Sequence, residues 1–131
     1  MSTITIAKPQ VQIDEAVQQL LQVEEESCTI VHCRIFTEEP TMIRIWPQTF
    51  LVQDTGNRCK LIRAFNISMM PDWTYFPVKS GFIRFTLVFE GLDKQCRSFE
   101  LLEDIQEPGA FYSNPIIRNN SDVYQAEVFT K

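Results

Sequence analysis

The stretch Ile83-Arg84-Phe85-Thr86-Leu87-Val88-Phe89-Glu90 constrains the fold most, because its large apolar residues Ile83, Phe85, Leu87 and Phe89 fall at every second position. Successive side chains of an extended chain point to opposite faces, so this segment reads as a strand with one face in a core. The same alternation places Thr29, Val31, Cys33 and Ile35 on one face of a strand from Cys28 to Phe36, with Ile30, His32, Arg34 and Phe36 on the other. In Arg97 to Glu103, Phe99 and Leu101 alternate with Ser98, Glu100 and Leu102. Met42 to Trp46, Phe50 to Gln53, Cys59 to Phe65 and Val123 to Phe129 read as further strands.

Turn signals separate these segments. Pro47 cannot donate to a ladder, and Asp54-Thr55-Gly56-Asn57 offers a glycine for the positive φ that a hairpin needs. Gly91-Leu92-Asp93-Lys94 is a second turn, while Asn66 to Gly81 and Glu107 to Ser121 read as long connections. About seven or eight strands without strand–helix alternation predict an all-β, antiparallel β-sandwich spanning one domain, 1–131. The first 22 residues fit less well. Thr3 to Ile6 suits a short strand, and Asp14 to Gln22 suits either one short N-terminal helix, with Val17, Leu20 and Leu21 on one side, or an irregular edge strand. A strand from Leu20 to Glu24 and a turn through Glu25-Glu26-Ser27 would complete a hairpin with Cys28 to Phe36.

The chain has 131 residues, enough to bury a core without disulfides or a structural metal. Ten Phe, two Trp and three Tyr suit a β-rich core. A formal charge of −5, with no Lys/Arg cluster along the sequence to reverse it locally, argues against nucleic acid and anionic membrane as partners. No run is long and apolar enough to insert in a membrane. Met1 to Pro9 lacks the basic start and apolar stretch of a secretory signal. A cytoplasmic location is therefore expected if Met1 is the native start, and the cell envelope if a signal has been removed.

From Cys28 to about Asp104 the residue order resembles a β-sandwich module of bacterial cell-envelope proteins, one attached to thioredoxin-like or lipoprotein chains. The resemblance lies in Ile43-Arg44-Ile45-Trp46-Pro47-Gln48-Thr49-Phe50-Leu51, Gly56 with Lys60-Leu61, Phe85 to Glu90, and Ser98 to Glu103. It implies an immunoglobulin-like sandwich with an accessory or interaction role, here standing alone, and no catalytic assignment. Two departures stand out: Gly91-Leu92-Asp93 replaces a proline-flanked turn, and Cys59 occupies an aromatic's place.

The chemistry-bearing residues form no recognisable constellation, so neither an enzyme nor a cofactor is expected. His32 is the single histidine, and Cys33 next to it has the opposite strand parity. Cys28, Cys33, Cys59 and Cys96 lack CxxC spacing and read as separate, mostly buried thiols, with a Cys59–Cys96 bridge open only to neighbouring strands. Glu24-Glu25-Glu26, Glu38-Glu39 and Glu103-Asp104 with Glu107 fall at predicted turns, where solvated charge is the default. The four glycines form no phosphate cradle.

One connection departs from this pattern. Met69, Met70, Asp72, Trp73, Tyr75 and Phe76 place more large apolar groups in a loop than solvent favours, so the loop either plugs an open end of the core or meets a partner. Trp46 would join the same patch on an outward face, but reads first as core. The leading expectation is a noncatalytic protein that binds a protein partner or itself through residues 69–76. A small ligand or carbohydrate stacking on Trp73 and Tyr75, with Asp72 accepting a hydrogen bond, is the alternative.

Overall fold

The computed structural model describes residues 28–131, so the expectations for Thr3 to Ile6, Asp14 to Gln22, Leu20 to Glu24 and the turn at 25–27 lie outside it. Among the described residues every regular element is a strand: β1 Thr29–Thr37, β2 Thr41–Ile45, β3 Thr49–Gln53, β4 Arg58–Phe65, β5 Ser68–Met69, β6 Thr74–Phe76, β7 Gly81–Phe89, β8 Ser98–Glu103, β9 Phe111–Ser113, β10 Ile116–Ile117 and β11 Val123–Thr130. The chain is all-β. No helix of the described residues is long and apolar enough to cross a membrane.

The main sheet runs β10-β8-β3-β4-β7-β1-β11-β9, and Leu102 of β8 also pairs with Tyr112 of β9. That pairing closes seven strands, from β8 round to β9, into a barrel. Residues 111–117 make the closure: Tyr112 meets Leu102, and after Asn114-Pro115 the chain continues along β8, pairing Ile116 with Phe99. A sandwich would leave two stacked sheets with separate edges, whereas here one ladder of strands returns on itself.

The sheet is also mixed. β1 pairs antiparallel with β7 but parallel with β11, with Val31 opposite Tyr124 and Cys33 opposite Ala126. Short turns enforce antiparallel pairing only between sequence neighbours. The β3–β4 hairpin obeys, with Gly56 at φ 97°, but no turn sets the direction of β1 against β11.

Period-two alternation sends one side chain of each pair inward. Val31, Leu51, Phe85, Leu87, Phe89, Phe99, Leu101 and Val128 fill the barrel and are all but inaccessible. Phe99 meets Tyr124 edge to face at 4.9 Å, and Phe85 stacks on Phe111 at 5.9 Å. β4 carries a bulge between Leu61 and Arg63, which leaves Ile62 exposed. Cys33, Cys59 and Cys96 are buried thiols without disulfides.

Glu103 corrects the expectation of a solvated turn carboxylate, because its parity with Phe99 and Leu101 turns it inward, where it is 3% exposed. Asn66 to Gly81 is likewise more than a connection. β5 and β6 lie within it and flank β2 in a separate three-stranded sheet, ordered β5-β2-β6.

Candidate interaction surface

The small sheet brings the aromatic segment together with residues from β2. β5 runs parallel to β2, with Ile45 opposite Met69, and β6 runs antiparallel, with Thr41 opposite Phe76, Met42 opposite Tyr75 and Ile43 opposite Thr74. Met70 N–H donates to the Ile45 carbonyl at 2.8 Å and Asp72 N–H to the Met69 carbonyl at 3.0 Å. Ser68 N–H donates to Thr74 Oγ1 at 2.8 Å, tying the two ends of the turn together. The Met70–Pro71 peptide within this turn is cis.

Alternation then sorts the side chains. Ile43, Ile45, Met69, Phe76 and Val78 pack on the barrel core. Met42 and Arg44 take the opposite parity on β2, with Trp46 one residue past its end, and Tyr75 shares it through the Met42–Tyr75 pairing, with Trp73 just before β6 against Arg44. Met42, Trp73 and Tyr75 are 52%, 50% and 59% exposed. Trp46, expected in the core, is instead half-buried on this outer face, because it follows Arg44 and not Ile45 in parity.

Arg44 organises the face. Its guanidinium lies 4.0 Å from the Trp73 ring centroid and 5.2 Å from that of Trp46, while Nη1 donates to the Pro71 carbonyl at 3.1 Å. Cation–π attraction of this kind contributes about 0.5–1 kcal/mol at an exposed site. Its consequence here is positional: Trp73 stands against Arg44 instead of sweeping through solvent.

Beside the face lies an open cleft of about 380 Å³, lined by Met42, Arg44, Trp46 and Trp73 on one side and by Glu103, Ile105 and Pro108 on the other. Glu103 braces it. Oε2 accepts from Trp46 N–H at 2.9 Å and from Thr49 Oγ1 at 3.4 Å, and Oε1 accepts from Phe111 N–H at 3.1 Å. Burial pushes the Glu103 carboxyl above its ordinary range, opposed by these hydrogen bonds and by Arg44.

Of the six residues singled out in the sequence, Asp72, Trp73 and Tyr75 are exposed, Met70 is half-buried in the turn, and Met69 and Phe76 belong to the inner packing. The segment therefore packs on the core with one face and leaves the other exposed. Met42, Arg44 and Trp46 were not singled out for this surface together, although their shared parity on one strand was the available signal.

The other sequence candidates stay apart. His32 Nδ1 shares a hydrogen bond with Thr86 Oγ1 at 2.8 Å on the outer face of the barrel. The Cys33 thiol points into the core and is pushed up to about 12 by burial, so it holds almost no thiolate near neutral pH. Cys59 lies on β4 and Cys96 in the connection between β7 and β8, and both are free thiols, so the bridge is not formed. No group of three His, Cys, Asp or Glu side chains suited to a metal occurs among the described residues. Comparison with protein-family models, curated proteins and solved structures found no match to this chain.

Proposed function

We propose that this chain is a noncatalytic binding domain that engages a protein partner through the outer face of the small sheet. The observation that carries this reading is the Met42, Arg44, Trp46, Trp73 and Tyr75 face, where three large apolar side chains stand about half exposed beside a cleft. Trp, Tyr and Arg are the residue types that dominate binding energy at protein interfaces, and clustered exposed apolar groups mark contact sites. The mechanism is burial of Met42, Trp73 and Tyr75 in the partner, with Arg44 holding Trp73 in place and so lowering the cost of ordering it. The resemblance to an immunoglobulin-like envelope module points the same way, to an accessory role, although the closed sheet departs from the two-sheet sandwich it implies.

The carbohydrate alternative is less well supported. A sugar would need an open Trp73 ring face, and Arg44 already covers one of the two.

A photo-crosslinker placed at Tyr75 of the full-length protein tests the reading. Crosslinking to one defined protein, or to a second copy of the chain, that is lost in a folded Trp73→Ala variant is the expected result. Equal crosslinking with and without Trp73, or none above that of a crosslinker at Lys60, would contradict it. A thermal shift with simple sugars that disappears in Trp73→Ala would move the site to the carbohydrate class.

A further inference from the structure

A second surface lies on the outer face of the barrel and shares no lining residue with the cleft beside the small sheet. There β7, β1 and β11 turn His32, Arg34, Arg84, Thr86, Gln125 and Glu127 into an open groove of about 710 Å³. Arg34 stands directly opposite Arg84 on one side and opposite Glu127 on the other. Like charges directly opposite one another across a sheet are destabilising, so nothing in folding favours this pair.

The compensation is one-sided. Arg34 Nη2 lies 3.5 Å from Glu127 Oε1, with both side chains largely exposed, and its guanidinium sits 4.4 Å from the Phe82 ring centroid. Arg84 makes no hydrogen bond or ion pair with a described residue, and Asn66 adds an amide to the same groove. Phe36, two residues on from Arg34 along β1, and Phe65, paired with Thr86, share this outer face at about half exposure, 50% and 49%.

We propose that this groove binds an extended acidic peptide whose carboxylate or phosphate oxygens bridge Arg34 and Arg84 while its apolar residues cover Phe36 and Phe65. Charge complementarity selects the occupant. Arginine pairs recognise planar or multidentate oxyanions, and the groove spans three strands, more room than one small anion fills. A polyphosphate backbone is a poorer match, because it brings no apolar groups to cover Phe36 and Phe65.

The test is fluorescence anisotropy of the full-length protein with a labelled peptide alternating glutamate with leucine and phenylalanine, and with its phosphoserine counterpart. Wild type should bind at least one of them. Arg34→Gln/Arg84→Gln should weaken that binding roughly tenfold or more, while Arg97→Gln, on another face, leaves it unchanged. Preference for the phosphoserine peptide would name phosphate as the recognised group, and preference for the glutamate peptide would name carboxylate; either supports the site. Circular dichroism checks that the double variant is folded. Equal affinity of wild type and double variant would overturn the proposal, as would no wild-type binding at about 1 mM peptide. So would a dimer, seen by light scattering, that the double variant dissolves, since a second copy would then be the occupant.

Discussion

The barrel and the small sheet use the same alternation with different results on their outer sides, mixed on the barrel and mostly apolar on the small sheet. In β7, Ile83, Phe85, Leu87 and Phe89 go inward while the outward positions mix Phe82 and Val88 with Arg84 and Thr86. In the small sheet Ile43, Ile45, Met69 and Phe76 go inward, yet the outer positions hold Met42, Trp46, Trp73 and Tyr75 around a single arginine. Folding needs one apolar face per sheet. The second apolar face is the part of this molecule that its own packing does not require.

The largest effect should come from the barrel. Phe89→Ala removes an inaccessible ring from the core and should cost about 3–5 kcal/mol, read as a lower urea midpoint. An outcome near that of a surface substitution would break the contrast at its first term.

Glu103→Gln comes next. It leaves only one carbonyl oxygen for three donors from Trp46, Phe111 and Thr49, and should cost about 1–3 kcal/mol. Its pH dependence has a definite sign. The native carboxyl is raised, so between the unfolded value near 4.5 and the higher native value the folded state holds a proton that the unfolded state has lost. Stability contributed by Glu103 is fully present below 4.5 and falls as pH rises through that window. The wild type should therefore lose ground against Glu103→Gln on going from acid to neutral pH, measured by urea titration of both at several pH values. A gap that widens in favour of wild type would contradict the burial argument.

Thr29 sharpens the comparison from the other side. Among the described residues its Oγ1 is buried without a hydrogen-bond partner, so Thr29→Val, nearly equal in shape, should raise stability by about 1 kcal/mol. The smallest effect is assigned to the small sheet's outer face. Trp73→Ala should cost no more than about 1 kcal/mol, largely its contact with Arg44, while removing partner binding.

Strands with full alternation were legible. Ile83 to Phe89, Val31 to Ile35 and Phe99 to Leu101 each repeat the period enough times to set face and parity from local sequence alone. Elements of two or three residues, such as β5, β9 and β10, do not repeat it once in full, so they read as connection. Barrel closure was hidden for the same reason, because it rests on Leu102 meeting Tyr112 and on a parallel pairing of the first described strand with the last. Glu103 looked like a turn residue beside Asp104, although extending the Phe99–Leu101 period by one step would have turned it inward.

The candidate surface was half legible. Trp73 and Tyr75 stood out because solvent does not favour so many large apolar groups in a loop. Arg44 could not be joined to them without the β2–β6 pairing, and the choice between core and patch for Trp46 needed it too. The Arg34–Arg84 pair was invisible to any search for basic runs, since each arginine stands alone on its own strand.

The central claim is that the small sheet's outer face is spare to the fold. Urea unfolding of the Met42→Ser/Trp73→Ser/Tyr75→Ser variant tests it most directly. The expected result is a cooperative transition within about 2 kcal/mol of wild type, as for partly exposed positions. A loss as large as that of Phe89→Ala, or a transition that is no longer cooperative, would make the face part of the core and remove its claim to be a binding surface.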